Sequence, residues 1–309
     1  MVMPQLGWFP LILLSAFSLG VYDFSKKHAV AGNRVMPVLF LATLCGTLFM
    51  LLSTLAMGHF LEYLLCTPLE WLYILGKSII VTASWIAGYY ALHDLPISIA
   101  APIRASAPVW TTIGGFVFFR ECPTLFQFLG MLVVFCGYYI FSTIGKHEGF
   151  SFRSRGVRMI IAATFIGAGS ALYDRLILYV VNLDPNVVQF HFSIDLVLLL
   201  GIIWLCQKHV PFLHEDAPFQ WRWSIPAIGI LLIFADFFFF HALHTPDTQV
   251  GMLSVLRRTS VIVSFACGAW YFGEKDILKK ILALTLVLAG IVILGFAKLF
   301  PFPFSSLPF

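Results

Sequence analysis

Ten apolar segments, each long enough to cross a lipid bilayer, leave this chain little room for a water-soluble fold. Their bounds are 6–24, 36–57, 71–92, 95–119, 124–145, 157–181, 186–206, 222–243, 248–272 and 277–299. Each meets the roughly 20 residues that a helix needs to span a hydrocarbon core of ~30 Å. Only 11% of the residues are charged, against about 25% in soluble domains. We therefore predict an all-α membrane protein with ten transmembrane helices.

The chain repeats itself at about half of its length. The matching positions are Tyr22-Asp23 with Tyr173-Asp174, His93 with His244, Arg104 with Arg257, Glu121 with Glu274 and Gly137 with Gly290. Each copy holds five segments, an odd number, so the second copy must enter the membrane from the opposite side. We therefore predict two inverted five-helix repeats, 1–146 and 157–309, joined by a cytoplasmic linker, 147–156.

Basic residues concentrate on one side of this topology. The loops after segments one, three, five, seven and nine hold twelve Lys or Arg residues, and the opposite face holds only Arg120 and Lys298. By the positive-inside rule, the richer face is cytoplasmic and both termini are extracytoplasmic. The first segment lacks a basic leader region and a cleavage site, so we interpret it as a membrane helix. We expect the bacterial inner (plasma) membrane, with an organelle membrane as the alternative.

Arginines fall at bilayer depth, where ionisable side chains usually face a cavity or a partner. Arg104 lies about nine residues into its segment, roughly 14 Å deep at 1.5 Å per residue. Arg257 reaches a similar depth from the other side, and Arg258 follows it. A guanidinium fork suits carboxylate or phosphate, which predicts an anion clamp; pairing with internal aspartates for packing is the alternative. The predicted substrate-binding residues are Arg104, Arg257, Arg258, Trp85, Tyr89, Tyr22, Lys77 and Tyr173.

Two prolines, Pro102 and Pro108, flank Arg104. Each removes a backbone donor, so the helix should kink or break there. Irregular backbone at that depth is tolerated only beside protein or a cavity, which places the predicted binding site near Arg104. The second copy has Val255 and Val261 at these positions and should lack the kink.

Several titratable residues are candidates for proton coupling: Asp236, Asp23, Asp174, Asp195 and His191. Asp236 adjoins a run of four phenylalanines, and desolvation there suits a proton carrier unless an arginine pairs with it. His191 and Asp195 are four residues apart and either share a proton or form a structural hydrogen bond. For Asp23 and Asp174, a loop-proximal acid or a salt bridge with a nearby Lys or Arg is the favoured interpretation.

The sequence carries no pattern typical of a metal site, a cofactor or a nucleic-acid partner. The six cysteines form no Cys-x-x-Cys pair, and His93 and His244 lack further ligands. Phosphate loops, hydrolase and zincin motifs are absent, as is a basic stripe. An enzyme using His93-Asp94 and Arg120-Glu121 is a distant alternative, since the second copy has His244-Thr245.

The segments that end at residues 119 and 272 close on Phe118-Phe119-Arg120-Glu121 and Tyr271-Phe272-Gly273-Glu274. With the two five-helix repeats, this pattern resembles the drug/metabolite transporter (DMT) superfamily, in particular its EamA-type members, over nearly the whole chain. Arg120 departs from the small residue usual before this Glu. The membrane-depth arginines are similar to those of organophosphate and nucleotide-sugar carriers of the superfamily.

The resemblance implies a secondary active transporter rather than an enzyme. Combined with the arginines, it predicts a small polar, anionic organic solute that moves by alternating access. Proton coupling and exchange for a counter-solute both stay open as driving forces. The alternative is an exporter of neutral amino acids or drugs in which the arginines are structural. The expected partners are the solute and the lipid bilayer, and no cofactor is expected.

Overall fold

The computed structural model is all-helical over the residues that it describes, which are 7–30, 32–94, 103–104, 106–143, 154–207, 218–246, 248–260, 262–263, 266–267, 285–290 and 292–293. In chain order the helices are α1 Trp8–Val30, α2 Val35–Ala56, α3 Phe60–Leu64, α4 Pro68–Asp94, α5 Ala107–Phe119, α6 Leu125–Thr143, α7 Arg155–Arg175, α8 Pro185–Cys206, α9 Ser224–His244 and α10 Val250–Arg257. A π-helical turn, Leu176–Val180, continues α7.

Six of the described helices are long and apolar enough to cross a membrane: α1, α2, α4, α7 with its π turn, α8 and α9. Two further apolar helices, α5 and α6, are shorter. Large hydrophobic side chains such as Phe17, Leu52 and Leu205 lie exposed on the outside of the bundle, as a surface that faces lipid requires. The prediction of an all-α membrane protein is confirmed. The prediction of ten spans extends to segments, such as 277–299, that lie largely outside the described residues.

Two helices end or begin at residues other than those predicted from hydrophobicity, because turn and capping residues fix their ends. α1 continues to Val30, past the predicted end at residue 24, because no helix breaker occurs before Gly32, which has φ of 64°. α4 begins at Pro68, earlier than predicted. There Glu70 accepts a hydrogen bond from Thr67 N at 2.8 Å, and Thr67 Oγ1 accepts one from Glu70 N at 3.3 Å, which makes a capping box.

The helices of the two predicted repeats interlock. α1 packs along α9, α4 packs along α7, α2 contacts both α8 and α9, and α5 contacts α10. At the crossing of α2 and α9, a Cβ on Gly46 would lie 2.7 Å from the carbonyl oxygen of Gly229, so neither position has room for a side chain. Ser15 Oγ also donates to Ala235 O at 2.7 Å, which joins α1 to α9.

Contacts between helix ends define two ends of the bundle. At the linker end, α1 and α4 finish and α9 and α7 begin: His28 Nδ1 lies 3.0 Å from Ser224 Oγ, and Arg155 Nε lies 3.7 Å from Asp94 Oδ2. At the far end, α5, α7 and α9 finish and α10 begins. α1 and α4 therefore run in one direction, and α7 and α9 run in the other.

Candidate functional site

A cavity lies between the helices of both predicted repeats. It encloses about 1260 Å³ of empty space, part of it open to solvent. Its wall is formed by α1, α4, α5, α7, α8, α9 and α10 together with Arg104 and Arg258. The sequence-predicted residues that line it are Tyr22, Asp23, Lys77, Trp85, Tyr89, Arg104, Asp174, Asp236, Arg257 and Arg258.

A buried ion pair joins α4 to α7 in this cavity. The Lys77 ammonium donates a hydrogen bond to Oδ1 of Asp174, and the two residues are 2% and 5% exposed. The ammonium nitrogen also lies 4.3 Å from the ring centroid of Phe192 and 4.5 Å from that of Phe240. One carboxylate and two aromatic faces therefore surround the Lys77 charge. For Asp174 the sequence favoured a loop-proximal acid or a salt bridge with a nearby Lys or Arg, and the structure pairs it with Lys77, 97 residues away.

A second ion pair joins α9 to α10. Arg257 Nη2 donates to Asp236 Oδ1 at 2.5 Å, and the guanidinium carbon lies 4.1 Å from the centroid of the Phe239 ring. Of the two alternatives for Asp236, the structure therefore shows the arginine partner. Arg257 Nε is buried and has no hydrogen-bond partner among the described residues.

A cluster of cations and phenols lies nearer the linker end of α1. Lys26 Nζ lies 3.8 Å from the centroid of the Tyr89 ring and 5.6 Å from that of Tyr22. The two phenol oxygens are 3.5 Å apart. Lys26 is only 8% exposed, although the sequence reading placed it in a loop. The signal for its position was its spacing of four residues from Tyr22, which places both on one helix face.

Arg104 borders the cavity just before α5. That helix begins at Ala107 with Ser106 as its N-cap and with Pro108 in its first turn, where a missing N–H costs nothing. Arg104 makes no hydrogen bond or ion pair with any residue that the structure describes. A partly buried guanidinium without a carboxylate partner is available for an anionic ligand.

Three sequence-predicted site residues do not line the cavity. Tyr173 donates its hydroxyl to Tyr73 O at 3.1 Å. Asp195 accepts a hydrogen bond from Ser78 Oγ at 3.2 Å, in place of one from His191. His191 Nε2 is buried without a partner among the described residues.

At the far end, an Arg175 network ties α7 to the turns that follow α5 and α9. Arg175 donates to Leu243 O at 2.9 Å, Thr248 Oγ1 at 3.0 Å and Thr248 O at 2.6 Å. Its Nε lies 2.9 Å from Glu121 Oε1, and Glu121 Oε2 accepts from Val250 N at 2.8 Å. Burial raises the pKa of the Glu121 carboxyl, and Arg175 and the Val250 N–H offset only part of this effect. This role of Arg175 was not predicted from the sequence, because its hydrogen-bond partners lie 68 and 73 residues away along the chain.

Spanning helices around a charged cavity define a polytopic membrane protein with an internal polar site. Residues 6–143 match the model of the EamA-like transporter family. The match covers most of the first predicted repeat, and it indicates a membrane transporter of the DMT type, because this family lies within the DMT superfamily. The resemblance seen in the sequence is thereby confirmed.

The fold is shared with a solved structure described only as "Crystal structure of protein". The two superpose with a TM-score of 0.72 over 93% of each chain, at 18% sequence identity. At this identity the likeness concerns the fold alone. No curated protein matches the chain.

Proposed function

We propose that this protein is a secondary active transporter of a small organic anion. The observation that carries the proposal is Arg104, a guanidinium on the cavity wall without an ion-pair partner among the described residues. Arg258 set aside, the described lining still has more cations than acids: Lys26, Lys77, Arg104 and Arg257 against Asp23, Asp174 and Asp236. Unbalanced charge at bilayer depth is costly, and a bound anion offsets that cost.

Helix directions support two inverted repeats and transport by alternating access. α1 and α7 carry the repeated Tyr-Asp pair and run in opposite directions, as do their repeat-related neighbours α4 and α9. The helix contacts follow the same correspondence. α1 corresponds to α7 and α9 to α4, and α1 packs along α9 as α7 packs along α4. A duplicated bundle of this kind exposes a central site to each side in turn by rocking one repeat against the other.

In the proposed complex, Arg104 and Arg258 hold the anion, and Trp85, Tyr22 and Tyr89 form the wall beside it. Orientation follows from the loop charges: the linker end faces the cytoplasm of a bacterial inner membrane, and both termini lie outside. A proton or a counter-solute drives the cycle.

An exporter of neutral amino acids or drugs is the second candidate. Phe192, Phe239 and Phe240 line the cavity, and two of its cations are already neutralised by aspartates. An apolar or zwitterionic solute suits these surroundings.

Counterflow in proteoliposomes tests the proposal, with organic acids, sugar phosphates, amino acids and nucleosides as the panel. We expect the wild type to exchange an anion and Arg104→Ala to lose that exchange. Arg158→Ala, an equal charge change at an exposed site on α7, is the matched control and should keep full activity. Full anion exchange by Arg104→Ala, or exchange of neutral solutes alone by the wild type, would contradict the proposal.

A further inference from the structure

The two ion pairs in the cavity differ in what their cations can do. A guanidinium stays charged in proteins and has five donors in a fixed fork, so Arg257 can hold Asp236 and still offer its unpartnered Nε to a ligand. An ammonium is a compact point charge with three donors. At Lys77, one of them is given to Asp174 and two aromatic rings lie close to the nitrogen.

Because the surroundings of the Lys77 ammonium are crowded, a bound anion and Asp174 would compete for it. An anion that reaches the ammonium must take the place of Asp174, because Phe192 and Phe240 occupy other sides of the nitrogen. Among the residues that the structure describes, Lys77 is the sole hydrogen-bond donor to Asp174. Displaced from it, Asp174 would be a lone carboxylate inside the membrane, where such a charge is neutralised by a proton.

We propose that the Lys77–Asp174 pair couples anion binding to proton binding. The anion takes the ammonium of Lys77, Asp174 takes one proton from the same aqueous side, and the two ligands cross together. On release, the anion and the proton leave, and Asp174 pairs with Lys77 again. The step breaks one ion pair, forms another and adds one proton to a carboxylate. This inference rests on the proposed anion transport and specifies its coupling site.

The other titratable groups on the surrounding helices make other contacts or form other parts of the cavity wall, except His191, which lies off the cavity with its Nε2 unpartnered among the described residues. They are Asp236 on α9 with Arg257 on α10, Asp195 and His191 on α8, Tyr173 and Arg175 on α7, Tyr73 on α4, Asp23 and Lys26 on α1, and Arg104 before α5. Arg257 keeps Asp236 paired with a permanent charge, so Asp236 is a poorer proton carrier than Asp174.

The test measures anion counterflow and anion accumulation driven by a pH gradient in the same proteoliposome preparation. Proteoliposomes are loaded with pyranine, the membrane potential is clamped with valinomycin and equal potassium, and the probe is the panel anion that the wild type exchanges. We expect the wild type to accumulate this anion when the outside is acidic, by up to about tenfold per pH unit for one proton per anion, with acidification of the lumen.

The decisive variant is Asp174→Asn, whose amide imitates the protonated acid. We expect it to keep anion counterflow at equal pH and to lose accumulation driven by the pH gradient. Asp195→Asn, the same change at a buried acid that does not line the cavity, is the matched control and should keep that accumulation. If Asp174→Asn fails to elute as a folded protein, the wild type carries the test: net anion uptake at equal pH should bring protons into the lumen, and net uptake without acidification contradicts the coupling.

Two outcomes overturn the coupling proposal and leave anion transport standing: pH-driven accumulation by folded Asp174→Asn, or net anion uptake by the wild type with no proton movement into the lumen. Loss of counterflow as well as pH drive in folded Asp174→Asn also contradicts it, because the residue would then be needed for binding itself. A wild type that transports no anion overturns the proposed function together with this inference.

Discussion

The far end and the linker end of the bundle occupy related places in the repeat, yet they are closed by different chemistry. At the far end, Arg175 bonds to two turns and pairs with Glu121. The repeat places Phe24 at the position of Arg175, because Tyr22-Asp23-Phe24 corresponds to Tyr173-Asp174-Arg175. A phenyl ring can make none of those polar contacts. Duplication therefore explains the shared scaffold, and single residue differences decide how firmly each end is held.

The ion pairs at the two ends differ in burial, and therefore in how much they contribute to stability. The Arg175 and Glu121 side chains are 5% and 10% exposed, whereas those of Arg155 and Asp94 at the linker end are 44% and 28% exposed. Removing one partner of a buried pair costs about 3–5 kcal/mol, and an exposed pair contributes roughly 0–1 kcal/mol. We expect the linker end to separate more readily than the far end.

The largest effect is expected from Arg175→Met, which keeps an unbranched side chain and removes every donor. Glu121 is left as a buried carboxylate without its cation, and the carbonyls of Leu243 and Thr248 lose a partner. We expect a loss of about 3–5 kcal/mol in stability, measured as a lower Tm of the purified protein in detergent. Phe24→Met, the same new residue at the related position, is the control. Equal losses in the two variants would show that the ends are equivalent.

Glu121→Gln is expected to have an intermediate effect. The amide oxygen still accepts from Val250 N, but Arg175 loses its counter-charge, at a cost of about 1–3 kcal/mol near neutral pH. The pH dependence supplies a second readout. Because the pKa of this carboxyl is raised above its ordinary value of 4.5, the folded protein holds a proton that the unfolded chain has released.

This contribution to stability is fully present below pH 4.5 and is lost as the pH rises through the raised pKa. We therefore expect the Tm of the wild type to fall over that interval by more than the Tm of Glu121→Gln. Parallel Tm profiles for the two proteins would show that Glu121 does not titrate in this range.

The sequence predicted the positions of several cavity residues better than their partners. Ionisable residues at bilayer depth must avoid lipid, and this rule alone places Arg104, Arg257 and Asp236 near an internal site. It does not say which acid meets which base, because Lys77 and Asp174 are 97 residues apart and meet only when α4 packs on α7. Lys26 was misplaced for another reason: α1 ends where Gly32 allows a positive φ, not where hydrophobicity falls.

A smaller effect is expected from Thr248→Val, which removes one of the three acceptors that Arg175 contacts. The hydroxyl of Thr248 accepts from Arg175 at 3.0 Å and donates to Thr245 O at 2.9 Å, while its backbone carbonyl, the closer acceptor, remains. We expect a loss of about 1 kcal/mol in stability, seen as a modest fall in Tm. Thr248→Ser, which keeps the hydroxyl, should stay near the wild type. A loss as large as that of Arg175→Met would mean that the side chain, not the guanidinium, organises this turn.

The smallest effect is expected from Arg155→Ala at the linker end. Its contact with Asp94 is 3.7 Å long and partly solvated. A positive charge in the first turn of α7 also interacts unfavourably with the helix dipole, so removing that charge offsets part of the stability lost with the ion pair. We expect the stability to stay within about 1 kcal/mol of the wild type, seen as little change in Tm. Ser154→Ala, which removes the hydroxyl that accepts from Val157 N at 3.3 Å, should cost about 1 kcal/mol and shows that the assay can detect a change at this end. If Arg155→Ala lowers the Tm as far as Arg175→Met, exposure does not separate the two ends, and another interaction must hold the linker end closed.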